Sequence, residues 1–211
     1  MEYIIISGAN ENRYNANKNH ELYAAKHNVD YKFCIRNNIS SPYYIKIYLI
    51  LEYFGYGYEN ILWLDDDAFF VDLGWDFKKI FNEHSESFIV TKSPNKRNNL
   101  PLFNSGVMFI KNNTRTKEFL NACLLTSYKT LSNNWNTEKY GNLSGDDQAR
   151  LIYNSDKMLK NDTKIIDFPG FNGRRKQFAF DTPIVHFVSK NKEVNIQKFQ
   201  KKTGINLYEL D

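Results

Sequence analysis

Three consecutive carboxylates, Asp65, Asp66 and Asp67, lie between two apolar runs of the sequence. The run before them, 61–64, reads Ile-Leu-Trp-Leu, and its continuous apolar character predicts a strand buried on both faces of a parallel sheet. The run after them, 68–71, reads Ala-Phe-Phe-Val. Adjacent carboxylates repel one another and are costly to remove from water, so this arrangement requires a cationic partner close by.

The spacing within the triplet favours a metal site at a sheet edge. In an open α/β sheet, ligands bind at the carboxyl ends of the strands. Alternate residues of an extended chain point the same way, so Asp65 and Asp67 are expected to address one divalent cation while Asp66 points elsewhere. A solvated acidic turn is the alternative, and a bare D-x-D pattern is common. The flanking apolar runs make us favour the metal site.

Length and composition predict one domain over residues 1–211. The 211 residues are 42% hydrophobic and 16% aromatic, which suffices for one sizeable core. The net charge of +4 is too small to indicate a nucleic-acid partner. Cys34 and Cys123 match no metal or disulfide spacing and indicate buried thiols in a reducing compartment. The sequence contains no transmembrane stretch or signal-peptide pattern, so we expect a cytoplasmic protein, for which peripheral membrane contact stays open.

The order of predicted elements indicates an α/β fold with a mostly parallel central sheet. A strand at 3–6, a helix at 17–28 and an alternating strand at 29–33 predict a parallel pair joined by a right-handed crossover. Ser41 and Pro42 predict the start of a helix that ends near Phe54. Further strands are predicted at 88–90, 103–110, 165–166 and 184–185, helices at 75–81, after Asn113, after Gly145 and at 195–202, and a polar loop at 131–143.

Two basic side chains have a structural and a functional interpretation each. Lys46 is the one basic residue of the helix that precedes the carboxylates, and it either extends to solvent from a buried helix or reaches a phosphate beside the triplet. His186 lies in an apolar strand, where a histidine is more often a hydrogen-bonded core residue. The need of Asp65 and Asp67 for further ligands favours its neutral imidazole as one of them.

Other positions also leave alternatives open. Asp146 and Asp147 open a helix, where acids suit the helix dipole, but pocket residues are also common at such starts. Gly106 at the start of a strand indicates close approach of a neighbour or ligand. Trp135 and Tyr140 lie in the predicted polar loop, where they either stack on a sugar ring or pin the loop to the core.

Four elements of the sequence, taken together, resemble the GT-A-fold glycosyltransferases. In chain order they are Leu-Trp-Leu-Asp-Asp-Asp-Ala at 62–68, Asn-Ser-Gly at 104–106, Asp-Asp-Gln at 146–148, and His186-Phe187 with Lys190. The set is most similar to glycosyltransferase family 34, the galactosyl- and xylosyltransferases, and more distantly similar to the glycogenin-like retaining enzymes of family 8. The resemblance covers roughly residues 3–190 and implies a single GT-A (Rossmann-like) domain.

The resemblance also implies roles for individual residues. Asp65, Asp67 and His186 would bind Mn²⁺, with Mg²⁺ as an alternative, and the ion would hold the diphosphate of a nucleotide-sugar donor, for which a UDP-sugar is expected. Asp147 and Gln148 would line the reaction centre as catalytic residues. Contacts with the donor are implied for Lys46, Asp66, Asn104, Ser105, Gly106 and Lys190. The last element departs from the family form Gly-x-x-Lys-Pro, since 188–191 reads Val-Ser-Lys-Asn.

The sequence therefore predicts a metal-dependent glycosyltransferase that acts on a saccharide acceptor with retention of anomeric configuration. Front-face attack is the favoured route, and double displacement with Asp147 as nucleophile is the alternative. A metal-dependent sugar nucleotidyltransferase is a second hypothesis, although residues 7–11 do not supply its usual glycine-rich basic loop. A non-catalytic carbohydrate- or polyanion-binding protein that uses the basic residues 174–176 is the third.

Overall fold

The computed structural model describes residues 1–37, 42–94, 100–144, 146–174, 182–188 and 191–209. The strands in these ranges are β1 (Tyr3–Ala9), β2 (Asp30–Ile35), β3 (Asn60–Leu64), β4 (Ala68–Phe70), β5 (Phe88–Lys92), β6 (Phe103–Lys111), β7 (Thr163–Ile166), β8 (Gly173–Arg174) and β9 (Ile184–His186). The helices are α1 (Ala16–His27), α2 (Ile45–Gly55), α3 (Lys78–Glu83), α4 (Thr114–Leu125), α5 (Tyr128–Asn134), α6 (Thr137–Tyr140), α7 (Asp147–Met158) and α8 (Lys192–Thr203).

Six strands form the central sheet in the order β2-β1-β3-β6-β5-β7. The strands β2, β1 and β3 are mutually parallel, β6 is antiparallel to both β3 and β5, and β7 is parallel to β5. Helices flank this sheet, so the predicted α/β fold with a mostly parallel central sheet is confirmed. Five strands therefore place their carboxyl ends at one edge, where the start of β6 also lies.

The two faces of the central sheet are both buried, as the apolar run at 61–64 predicts. Ile61 and Trp63 of β3 belong to a core cluster with residues of α2, α4 and α7. Leu62 and Leu64 point to the other face and pack with residues of α1 and α3. Alternate side chains of one strand thus enter different cores, and this leaves no solvated face for the strand that carries the carboxylates.

A smaller sheet, ordered β4-β9-β8, lies next to the carboxyl edge of the central one. It packs against α8 through a third core cluster that contains Phe69, Val185, Ile196 and Phe199. The predicted solvated helix at 195–202 therefore begins at Lys192 instead and buries one face.

Several predicted elements differ from the structure. The polar loop expected at 131–143 is wrong, because α5 and α6 occupy most of it. Ser127 caps α5 and Asn136 caps α6 with side-chain hydrogen bonds, which the polar composition of the segment conceals. The helix expected at 75–81 is α3, three residues later. A 3₁₀ turn at Pro42–Tyr44 precedes α2, while Ser41 lies outside the described residues.

Trp135 and Tyr140 pin their segment to the core, which decides between the two interpretations of these rings. Tyr140 is 3% exposed, and Trp135 packs beside it with the ring centroids 5.0 Å apart. The Trp135 indole donates a hydrogen bond to the Gly141 carbonyl oxygen at 2.8 Å. None of the described helices combines the length and apolar character that crossing a bilayer requires.

Candidate active site

The carboxylate triplet forms a tight turn that joins the two sheets. The Asp65 N–H donates to the Gly106 carbonyl oxygen at 2.8 Å, and the Ala68 N–H donates back to the Asp65 carbonyl oxygen at 3.0 Å. The chain then enters β4, whose first residue, Ala68, pairs with His186 of β9. The antiparallel register of β4 and β9 therefore brings His186 next to the triplet.

Asp65, Asp67 and His186 come together as the sequence predicts. One ligand atom of each lies within 4.8 Å of the others. His186 Nε2 is 2.8 Å from Asp67 Oδ1 and 3.9 Å from Asp65 Oδ2. The side chains of Asp67 and His186 are 3% and 4% exposed, whereas that of Asp65 is 26% exposed. Two of the three groups are thus deeply held, and the third opens toward solvent.

The His186 ring is oriented by Asn104. The Asn104 side-chain oxygen accepts hydrogen bonds from the Gly106 N–H at 3.0 Å and from the Asn172 amide at 3.0 Å. This oxygen also lies 3.0 Å from His186 Nδ1, so Nδ1 must carry a proton in that contact. Nε2 then faces Asp67 Oδ1, so a neutral imidazole would offer its Nε2 lone pair to a cation at this point.

Gly106 makes room for this imidazole. A Cβ atom placed on Gly106 would lie 1.9 Å from His186 Cε1, so no side chain is tolerated there. The predicted close approach at Gly106 is confirmed, and the neighbour is His186. Contact of Gly106 with a donor sugar stays a prediction, since this glycine packs against the histidine.

Asp65 is fixed through one of its two oxygens. Its Oδ1 accepts a hydrogen bond from the Trp63 indole at 2.8 Å and an ion pair from Lys46 Nζ at 3.0 Å. Its Oδ2 is the atom that faces His186. The carboxylate is thereby oriented with a free oxygen on the side of the other two candidate ligands.

Lys46 lies deep among the acidic groups. It is 6% exposed, its Nζ is 2.9 Å from Asp147 Oδ2 and 3.0 Å from Asp65 Oδ1, and it donates to the Ser105 carbonyl oxygen at 3.1 Å. Extension to solvent is therefore wrong for this lysine. Burial opposes the charge, but Asp147 and Asp65 outweigh it and raise the pKa of Lys46 well above its ordinary value.

The predicted residues of α7 meet the start of β6. Ser105 Oγ donates to Asp147 Oδ2 at 3.0 Å, and the Gln148 side-chain oxygen accepts from the Ser105 N–H at 3.2 Å and the Asn104 amide at 3.4 Å. The β5–β6 register shifts here, since Val90 pairs with Met108 and Thr91 with Asn104. This bulge carries Ser105 and Gly106 away from β5 toward the site.

These groups line a cleft of about 590 Å³ at the carboxyl edge of the central sheet. Asp66 also lines it, and burial, followed by the charges of Asp67 and Asp65, raises its pKa to about 7. Burial opposes ionisation of Asp67 as well, but His186 and Lys192 outweigh it and lower the pKa of Asp67.

Several lining residues were not predicted. One wall is the end of β1, with Gly8 and Ala9, and the segment after it, with Asn10, Arg13 and Tyr14. Tyr43 also lines the cleft and is 58% exposed. The carboxyl end of β1 lies at the same sheet edge as that of β3. The rule that ligands bind at the carboxyl ends of strands could therefore have located this wall from the sequence.

Lys192 is the most important of the residues that the sequence analysis missed. Its Nζ lies 2.5 Å from Asp67 Oδ2, and its side chain is 31% exposed on the cleft. A lysine in the first turn of a helix is opposed by the helix dipole, so its position in α8 signals a nearby anion. Lys190, which was predicted instead, lies outside the described residues.

The predicted basic segment 174–176 is described only at Arg174. This residue ends β8 and is partly buried, and burial lowers the pKa of its guanidinium. Arg175 and Lys176 lie outside the described residues, so the polyanion-binding surface stays a hypothesis from the sequence.

The central sheet with its carboxylate turn and adjoining small sheet defines a GT-A-like glycosyltransferase fold. The chain is similar to a glycosyltransferase involved in glycosylation of the major capsid of PBCV-1, with a TM-score of 0.71, 16% identity, and coverage of 94% of this chain and 98% of that one. It is also similar to the glycosyltransferase GlyE of Streptococcus pneumoniae TIGR4, with a TM-score of 0.55, 12% identity, and coverage of 100% and 67%.

The sequence itself gives no such match. No protein-family profile matches the chain, and no curated protein does. At the identities found, the likeness to solved structures is one of fold.

Proposed function

We propose that this chain is a metal-dependent glycosyltransferase that moves a sugar from a nucleoside diphosphate sugar, expected to be a UDP-sugar, to a saccharide with retention. The observation that carries the proposal is the convergence of Asp65, Asp67 and His186 within 4.8 Å. They converge in a cleft of a fold shared with glycosyltransferases. Kinship with families 34 and 8 belongs to the same proposal.

The three side chains fit a divalent cation. Two carboxylates and an imidazole suit Mn²⁺, and the carboxylates also suit Mg²⁺. Nδ1 of His186 is bound to Asn104, and Nε2 lies 2.8 Å from an Asp67 oxygen. Two lone pairs at this distance would repel each other, so the contact requires a proton or a metal cation. When bound, the cation would neutralise the donor diphosphate and the charge that develops on the leaving group.

Lys192 and Arg13 are the cations that we assign to the diphosphate side of the cleft. Lys192 is partly exposed, and its ion pair with Asp67 places its ammonium beside the predicted metal ligands. Arg13 lines the same cleft and is 47% exposed on its side chain. Positive groups that face a departing phosphate stabilise the transition state more than the ground state, because the negative charge grows as the bond breaks.

Lys46 has a different role in this proposal. Its three ammonium protons have three close partners, in Asp65, Asp147 and the Ser105 carbonyl oxygen. We therefore propose that Lys46 holds these groups at a fixed separation and does not make the phosphate contact that the sequence had suggested.

Asp147 orients in this scheme and does not attack. Its Oδ2 is engaged by both Lys46 and Ser105, which lowers its capacity as a nucleophile. Gln148 is tied to Ser105 and Asn104, so the pair forms a firm wall next to the predicted sugar position. This arrangement supports front-face attack over double displacement through Asp147.

A thermal-shift panel of nucleotide sugars, with and without Mn²⁺, tests the function. We expect one donor to raise Tm by several degrees only when the metal is present, since a ligand at 100 times its Kd adds about 2.7 kcal/mol of stability. Incubation of that donor with the chain should then release the nucleoside diphosphate. Equal donor stabilisation in excess chelator would contradict the proposal, and synthesis of nucleotide sugar from a triphosphate and a sugar phosphate would favour the nucleotidyltransferase.

A further inference from the structure

A second cavity, of about 380 Å³, lies at the same edge of the central sheet as the active-site cleft. We propose that it binds the acceptor, as an uncharged oligosaccharide, and this inference rests on the proposed function. Its walls come from the end of β5, the residues that lead into β6, and α6 with Gly141. Residues 95–99, between the first two walls, lie outside the described part of the chain.

The position of the cavity suits an acceptor that must reach the cleft. Ser93 follows β5 and Asp65 follows β3, and the two strands flank β6, which places their ends about 10 Å apart. Where the chain enters β6, Leu102 lines the second cavity and Asn104 lines the cleft, a separation of about 7 Å in an extended chain. A short saccharide in the second cavity can therefore extend its end toward the predicted sugar position.

The cavity has a firm backbone frame. The Leu102 N–H donates to the Tyr140 carbonyl oxygen at 2.8 Å, and the Ser93 N–H donates to the Leu102 carbonyl oxygen at 3.1 Å. Gly141 has a φ of +76°, and a Cβ there would lie 2.0 Å from the Leu100 carbonyl oxygen. The three walls are therefore tied together, so the cavity is a feature of the packed fold.

The lining has the mixed chemistry that a sugar requires. Pro101 and Leu102 are partly exposed and offer apolar surface for the C–H face of a pyranose, and the exposed Glu138 carboxylate can accept hydrogen bonds from vicinal hydroxyls.

The charges of the cavity favour an uncharged ligand. Lys92 lies 4.0 Å from the exposed Asp167. The ammonium of Lys139 is engaged by Asp156 at 2.5 Å. Among the described residues, each lysine of the lining therefore has a carboxylate neighbour, so neither of them selects an anionic saccharide.

The test uses the full chain, saturated with UDP and Mn²⁺, on an array of uncharged oligosaccharides. Glu138→Ala removes the carboxylate and Thr137→Trp fills the mouth, and both residues are exposed, so the fold should tolerate the changes. Glu118→Ala and Thr114→Trp are matched controls, because Glu118 is exposed on α4, and Thr114, like Thr137, is an exposed first helical residue after an asparagine cap.

We expect the wild-type chain and both controls to bind a defined set of saccharides, and the two cavity variants to bind them at least tenfold more weakly. Hydrolysis of the donor by water should be equal in all five proteins. Unchanged saccharide binding by the cavity variants, no binding to the array by any protein, or loss of donor hydrolysis in the cavity variants would each overturn the inference. A failure of the proposed function would be recognised separately, because the wild-type chain would then bind the donor equally well with and without Mn²⁺.

Discussion

His186 Nε2 lies 2.8 Å from Asp67 Oδ1, and the contact joins β9 to the turn that follows β3. It depends on the pairing of Ala68 with His186 in the small sheet and on the space beside Gly106. The candidate metal site is therefore a junction between the two sheets, so changes that perturb either sheet should alter metal binding.

Replacement of a predicted ligand should remove transfer and spare the fold. Asp65→Asn is the sharpest choice, because it preserves shape and the side chain is 26% exposed. We expect metal-dependent product formation to fall by roughly a hundredfold or more, since a metal supplies several kcal/mol of transition-state stabilisation. Circular dichroism should be unchanged. Retention of full activity in this variant would remove Asp65 from the site.

The residue that orients His186 should affect metal affinity without being a ligand. Asn104→Leu removes the oxygen that holds Nδ1, and losses of this kind weaken metal binding by about 10–100-fold. Electron paramagnetic resonance of free Mn²⁺ gives the affinity directly. Asn121→Leu, on the exposed side of α4, is the control. Equal affinity in wild type and Asn104→Leu would show that the orientation of His186 does not depend on Asn104.

Removal of the buried ammonium should destabilise the chain. Lys46→Met leaves Asp147 buried without its ion-pair partner, and breaking such a pair costs about 3–5 kcal/mol. Urea unfolding in chelator measures the loss. The double variant Lys46→Met with Asp147→Leu should recover much of it, because the unpaired charge is gone. Additive losses in the double variant would mean that the two residues do not interact energetically.

His20 should make stability depend on pH in mildly acidic solution. Burial lowers its pKa from the ordinary 6.5 to about 4, although its contact with the Ala68 carbonyl oxygen at 2.7 Å acts in the opposite direction. Between these two values the unfolded chain binds more protons, so stability falls as the pH drops from 6.5 toward 4.

The contribution of His20 to that loss is roughly 3 kcal/mol, at 1.36 kcal/mol per pKa unit. Urea unfolding of wild type and His20→Gln between pH 4 and pH 8 isolates it, since other titrating groups are common to both chains. The free-energy difference between the two should shrink as the pH falls. A difference that stays constant over this range would show that His20 is not held neutral.

The sequence by itself determined the elements whose signal is local. The apolar run before the triplet specified β3 as a strand buried on both faces, because successive side chains point to opposite faces of the sheet and all four are apolar. The alternation of strands and helices specified the α/β class, and Gly106 specified a close approach. The choice of Asp65, Asp67 and His186 as a group also came from local patterns together with a family resemblance.

Only the tertiary structure decided what depends on pairing between distant segments. Strand pairing decides that β6 is antiparallel and that His186 lies beside the triplet. The packing of α8 decides that Lys192 is the lysine that contacts Asp67. The same holds for Lys46, whose burial between Asp65 and Asp147 depends on α2 and α7 meeting over the sheet edge. Such contacts leave no periodic trace in the sequence, because their energy comes from residues that are neighbours only after the chain has folded.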